Sequence, residues 1–122
     1  MLWLLENHGE ALEADLQRYY NVDLADMYRG VVSVRKVSVL ATNLPRASAV
    51  GIRLGGAAAI SEETEASWLV ETALYKIAHA QAGGKGKAPE MRDYPLGVAE
   101  LAAKETFTES RAEAFRRKHL QK

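Results

Sequence analysis

The chain has 122 residues, no cysteine and a formal net charge of zero, with 16 basic and 16 acidic side chains. This length predicts one domain with a modest core, and the lack of cysteine excludes disulfides, thiolate nucleophiles and cysteine-based zinc sites. The sequence contains no leader-like segment and no apolar run of membrane-spanning length, so we expect a soluble, cytoplasmic protein without a membrane partner.

Charge is banded along the sequence. Residues 1–28 are acidic apart from Arg18, residues 29–56 carry bases and no acid, residues 57–81 are acidic again, and the last dozen are basic. A uniformly basic nucleic-acid-binding protein does not show such bands. We interpret them as solvated pairs within the molecule, with contacts to other protein chains as the alternative.

The first predicted element is a helix with an apolar stripe and acidic residues on the opposite face. The stripe consists of Leu5, Leu12, Leu16 and Tyr19. Asn21 predicts a left-handed end to this helix, because its short polar side chain tolerates positive φ. Asp23 then caps a short turn that Gly30 ends.

The segment "VVSVRKVSVLATNLP", residues 31–45, combines strand-forming valines with helical spacing. We predict a helix here, because Ser33 is placed as an N-cap and apolar residues recur at helical intervals. Those residues are Val34, Val37, Ala41 and Leu44. Pro45 is predicted to end this helix and to begin the next one, "RASAVGIRL", which Gly55 and Gly56 close.

Ser61 gives the clearest helix start, since acids follow it in the first turn and complement the helix dipole. The helix that follows is predicted to be central to the fold and to bury one face. That face consists of Ala66, Leu69, Ala73, Ile77 and Ala80, widened by Trp68, Val70 and Leu74.

The stretch "AGGKGKAPEMRDYP", residues 82–95, has the glycine and lysine content of a phosphate loop. A Walker loop would need glycine where Gln81 stands and serine or threonine where Ala88 stands, directly after a strand. We therefore predict a linker. The sequence beyond it is strongly helix-forming but poor in apolar residues, with a predicted break at Thr106 or Thr108.

These elements together predict an all-α fold. We expect a small helical domain of four to five helices over residues 1–82, a linker over residues 83–95 and a C-terminal helical arm over residues 96–122.

No arrangement of side chains indicates catalysis. His8, His79 and His119 lack the spacing of metal ligands, and the serines lack a nucleophile turn, so their positions suit capping and close packing. The acids of the first helix are typical of a solvated face. We therefore predict a protein that is not an enzyme and that has no cofactor and no metal.

Two binding functions remain open from the residues. Residues 33–54 could form a helix-turn-helix, although the second helix offers only Arg46, Ser48 and Arg53 to reach bases. The other function is protein binding through exposed apolar side chains. The candidates are Trp3, Tyr28, Trp68 and Phe115, each of which could instead belong to the core, together with Arg35 and Lys36 in the basic band.

The order of the motifs "HGEALEADL" (8–16), "LPRASAVGIRLGG" (44–56) and "GGKGKAPEMRDYP" (83–95) resembles a small family of the tail-assembly modules of actinobacterial and related siphophages. Its members are described as tail assembly chaperones or left without a function. The resemblance covers about residues 2–95. The matching positions are Leu12, Glu13, Asp15, Leu44, Pro45, Ser48, Ala49, Gly55, Gly83, Gly84, Lys85, Tyr94 and Pro95.

The resemblance implies a non-catalytic factor in the cytoplasm of the host cell. Such a chaperone would keep the tape measure protein soluble and recruit tail tube subunits. Its expected partners are the tape measure protein, the major tail protein and an upstream product linked by a frameshift. The alternatives are a minor virion structural or connector protein and a small DNA-binding regulator that uses residues 33–54.

Overall fold

The computed structural model of the protein describes residues 1–119 and contains, in that range, six α-helices, one 3₁₀ turn and no strand. The helices are α1 (Leu2–Tyr20), α2 (Ala25–Tyr28), α3 (Val34–Thr42), α4 (Ala49–Leu54), α5 (Glu62–Gln81) and α6 (Val98–His119), and the 3₁₀ turn spans Gly56–Ala59. The predicted all-α fold is confirmed. Residues 120–122 of the predicted arm lie outside the described range.

The core lies where α1 crosses α3 and α4. It consists of Ala11, Leu12, Leu16, Leu24, Val37 and Val50, all buried.

Asn21 ends α1 in the left-handed conformation with φ 51°, as predicted. Two details of α1 were predicted wrongly. Tyr19 is exposed, whereas Tyr20 packs on the core and donates its hydroxyl to the Asn43 carbonyl at 2.6 Å. Asp15 is buried and does not belong to a solvated acidic face.

Serine caps begin three of the helices. The hydroxyls of Ser33, Ser48 and Ser61 each accept the backbone N–H three residues ahead, at 3.1 to 3.2 Å. The prediction that Pro45 begins the fourth helix is therefore wrong. Ala47 adopts a left-handed φ of 59°, which interrupts the helical path, and α4 starts only after Ser48.

The predicted role of α5 as the central helix is wrong. Its apolar stripe faces solvent, and within it Leu69, Val70, Leu74 and Ile77 are all more than half exposed. The opposite face is turned inward and carries Glu65, the half-buried Trp68 and the buried Thr72. Polar contacts rather than apolar packing therefore attach α5 to the rest of the fold.

The second half of the predicted linker lies against other elements. The Gly56 N–H donates to the Pro95 carbonyl at 2.8 Å, and Gly97 packs closely on the end of α4. The helix α6 then runs without the predicted break. The hydroxyls of Thr106 and Thr108 donate back to carbonyls of the preceding turn, which accommodates both residues inside a helix.

Candidate functional site: an apolar groove between α1, α2 and α3

An open apolar groove of about 440 Å³ lies between the first turns of α1, the short helix α2 and the start of α3. Its lining is apolar except for one carboxylate and one phenol hydroxyl. The lining residues are Met1, Leu2, Leu5, Glu6, Met27, Tyr28 and Val34. Two methionines are notable here, because the flexible thioether chain adapts to differently shaped apolar partners.

A kink in α1 positions one wall of this groove. The helical backbone is interrupted at His8, where φ is −140° and ψ is 29°. His8 is buried and meets the Trp3 ring edge-on, with ring centroids 5.2 Å apart. This contact anchors the first turns of α1, which supply Leu2 and Leu5 to the groove.

The other wall is held by polar contacts around α2. The Asp23 carboxylate accepts the N–H of Ala25, the first residue of α2, at 2.8 Å, although the N-cap position itself is occupied by Leu24 and not by Asp23. The Asp26 carbonyl accepts the N–H groups of Val31 and Val32 at 2.9 and 3.1 Å. These bonds fix the short loop between α2 and α3, and with it the spacing between Tyr28 and Val34.

Charged side chains of both signs lie in the groove lining or next to it in sequence. Glu6 lines it on the α1 side, and Arg35 and Lys36 are exposed in the first turn of α3, next to the lining residue Val34. An amphipathic helix is complementary to such a surface, because its apolar stripe can enter the groove while its flanking charges face the charges around the groove. The groove is therefore suited to bind such a helix.

The structure separates the predicted protein-binding residues into two sets. Tyr28 lines the groove, whereas Trp3, Arg35 and Lys36 are not among its lining residues, although they directly follow the lining residues Leu2 and Val34 in sequence. Trp68 and Phe115 lie elsewhere. Trp68 is half-buried on the inward face of α5. Phe115 is exposed on α6, and the centroid of its ring lies 4.2 Å from that of the His119 ring.

A second polar cluster joins α5 to the 3₁₀ turn and to the end of the predicted linker. Arg46 pairs with Glu65 at 2.6 Å and also donates to the carbonyls of Ala57 and Ile60 at 2.9 and 3.1 Å. The Tyr94 hydroxyl donates to the same carboxylate. The hydrogen bonds from Arg46 and Tyr94 favour the charged form of Glu65 and so lower the pKa of this carboxylate. The same bond to Glu65 raises the pKa of Tyr94.

The sequence did not reveal this cluster, since its members are separated by up to 48 positions and no motif connects Arg46, Glu65 and Tyr94.

The cluster also bears on the alternative that residues 33–54 form a DNA-binding helix-turn-helix. Arg46 is engaged in three contacts within the molecule, and the short helix α4 buries Val50 and Gly51 against the core. The donors expected to reach bases were Arg46, Ser48 and Arg53. Of these, Arg53 alone is exposed and is not used in the contacts that hold α4 and the cluster together.

Within residues 1–119, no three His, Cys, Asp or Glu side chains lie close enough together to hold a metal ion. None of the helices in that range is long and apolar enough to cross a membrane. The fold and groove thus define a small all-α protein with an open apolar surface. No family model, curated protein or solved structure matches the chain.

Proposed function

We propose that the protein is a phage tail assembly chaperone, a non-catalytic factor that binds an amphipathic helix of the tape measure protein in the α1–α2–α3 groove. The observation that carries this proposal is the groove itself, where methionine, leucine, valine and tyrosine side chains are open to solvent on a small all-α domain. Exposed apolar patches of this kind mark protein-binding surfaces.

The choice of the tape measure protein rests on the motifs shared with the tail-assembly family, "HGEALEADL" and "LPRASAVGIRLGG". In the fold these motifs form one structural unit, since Asp15 of the first caps the helix that begins in the second. No residue of that unit is among the lining residues of the groove. The major tail protein and the upstream frameshift-linked product are further proposed partners.

The size of the groove suits a contact that can be reversed. A volume of about 440 Å³ accommodates two or three apolar side chains of a helix rather than a whole interface. Interfaces of limited size give weak, transient binding. A chaperone needs this property, because tail tube subunits must displace it as the tube grows around the tape measure.

The test is co-expression of the chain with the tape measure protein from the same gene cluster. We expect more soluble tape measure protein with the chain than without it, and co-elution of the two on a sizing column. The variant Tyr28→Ser/Val34→Gln makes the groove polar without adding charge, and we expect it to lose most of this effect, since central interface side chains contribute about 2 kcal/mol or more each.

The matched control is Val39→Gln/Ile52→Gln, which changes two exposed β-branched residues outside the groove. It should solubilise the tape measure protein as the unsubstituted chain does. An insoluble tape measure protein in the presence of the unsubstituted chain would overturn the proposed function. Equal loss in both variants would overturn the assignment of the groove.

A further inference from the structure

The helix α5 places its polar face inward and its apolar face outward, the reverse of a surface helix in a globular protein. Inward-facing Glu65 and Glu71 bond to Arg46, Tyr94 and Arg92. The outward face carries a continuous apolar stripe. Its members are Ala66, Leu69, Val70, Ala73, Leu74, Ile77 and Ala80, all exposed.

The spacing of this stripe is that of a coiled-coil seam. Ala66, Val70, Ala73, Ile77 and Ala80 follow one another at intervals of four and three residues. Leu69 and Leu74 flank the seam, one on each side. The stripe spans residues 66–80 of the 20-residue helix, which is about 21 Å along the helix axis.

The seam alternates small and β-branched residues in a way that matches a second copy of itself. When two α5 helices lie antiparallel and overlap over their whole length, Val70 faces Ala73 of the other copy and Ile77 faces Ala66. Each bulky side chain then meets an alanine. Pairing large with small residues lets two helices approach closely without voids or overpacking.

Charge favours the same antiparallel orientation. The first half of α5 carries Glu62 and Glu63 on the outward side and no base, whereas Lys76 and the following Lys85 and Lys87 lie toward its other end with no acid among them. Antiparallel pairing brings the acidic end of one copy to the basic end of the other. Parallel pairing would put like charges together at both ends.

The apolar side chains of α6 do not offer an equivalent partner. Val98, Leu101, Phe107 and Phe115 are separated by three, six and eight residues, which gives no continuous stripe. We propose that the outward face of α5 is a self-association surface, on which two copies of this chain pair through antiparallel α5 helices. This pairing is independent of the α1–α2–α3 groove.

The first measurement is the mass of the full-length chain in solution by sedimentation equilibrium. The chain has a mass of 13.4 kDa, and we expect twice that value at tens of micromolar. The variant Val70→Glu/Ile77→Glu introduces charge into the seam and should raise the dimer dissociation constant about 100-fold or more.

The matched control is Val39→Glu/Ile52→Glu, because it makes the same two substitutions at similar exposure. Val39 is 50% exposed and Ile52 55%, against 61% for Val70 and 54% for Ile77. The control should remain dimeric, and circular dichroism should show equal helix content in all variants. A monomeric unsubstituted chain, or a dimer that survives charge in the seam, would overturn the proposal.

The lack of cysteine allows the orientation to be tested by cross-linking. An equal mixture of Ala66→Cys and Ile77→Cys chains should form a disulfide between the two variants under mild oxidation. Ala66→Cys alone should not, since in the antiparallel pair its two copies lie about 16 Å apart along the axis. Cross-linking of Ala66→Cys alone would indicate parallel helices and contradict the proposed geometry.

Discussion

The buried carboxylate of Asp15 caps the N-terminus of α4 and accepts the N–H of Val50 at 2.7 Å. Its other oxygen accepts the N–H of Ala49 at 2.9 Å, so one side chain of α1 satisfies two free donors of another helix. Asp15 is 2% exposed, and its negative charge lies at the positive end of the helix dipole. These two bonds join residues 8–16 to residues 44–56 through partners that are more than 30 positions apart in the sequence.

We therefore predict that Asp15→Ala destabilises the protein by about 3 kcal/mol, because the buried N–H of Val50 and the partly buried N–H of Ala49 lose a charged acceptor. Asp15→Asn keeps one acceptor oxygen and should cost less. Urea unfolding followed by circular dichroism measures both changes. Glu13→Ala removes an exposed carboxylate from the same helix and should change stability by no more than about 0.5 kcal/mol. Equal losses for Asp15→Ala and Glu13→Ala would contradict the capping role.

The Glu65 carboxylate should make stability depend on pH in acid. Arg46 and Tyr94 lower its pKa in the folded protein, so its contribution is complete above the unfolded pKa of about 4.3 and is lost as the pH falls through the folded value. Urea unfolding of Glu65→Gln between pH 7 and pH 3 should show a shallower decline in acid than the unsubstituted chain.

The matched control for this pH profile is Glu109→Gln, which removes an exposed carboxylate of α6 outside the cluster. It should leave the steep decline in place. A Glu65→Gln profile parallel to that of the unsubstituted chain would show that the contact with Arg46 is not maintained in solution.

Local signals in the sequence were sufficient to predict most of the helices. Ser33 and Ser61 were recognised as caps, and Asn21 as a helix end, because each acts on residues within one turn. The orientation of α5 was not predictable in the same way. An apolar stripe shows that a helix will bury one face, but it does not show whether the covering surface belongs to the same chain.

The candidate site was predictable only in part, for a related reason. Aromatic and basic residues are common in interfaces, which is why Tyr28, Arg35 and Lys36 are candidates, and of these three Tyr28 alone lines the groove. Leu2 and Met27 gave no signal, since they line the groove only after the kink at His8 has brought the first turns of α1 beside α2. Such contacts depend on tertiary structure.

Arg92 is predicted to hold the end of the linker against α5. Its guanidinium donates to both oxygens of Glu71, at 2.9 and 2.7 Å. Arg92→Ala should release this segment, and the Gly56 amide reports the release because it donates to the Pro95 carbonyl. We expect faster hydrogen exchange at Gly56 in the variant. Lys87→Ala breaks an exposed ion pair with Glu90 and should leave this exchange rate unchanged.

The close packing of Gly97 on the end of α4 gives the last prediction. A Cβ atom at this position would lie 2.7 Å from the carbonyl carbon of Leu54 and 3.0 Å from the carbonyl oxygen of Arg53, both backbone atoms that have little freedom to shift. Gly97→Ala should therefore destabilise the chain by about 1 to 3 kcal/mol and undock the start of α6.

Urea unfolding measures the cost of Gly97→Ala, and limited proteolysis around residues 91–98 reports the undocking. The control is Gly9→Ala, where an added Cβ meets no atom within 4 Å. Gly9 lies within α1, so alanine there should be neutral or stabilise the protein by up to about 1 kcal/mol. If Gly97→Ala were as stable and as protease-resistant as Gly9→Ala, α6 would not be docked on α4 in solution. The C-terminal arm would then leave the domain after Pro95, with the bonds of Tyr94 to Glu65 and of Pro95 to Gly56 as its last attachments.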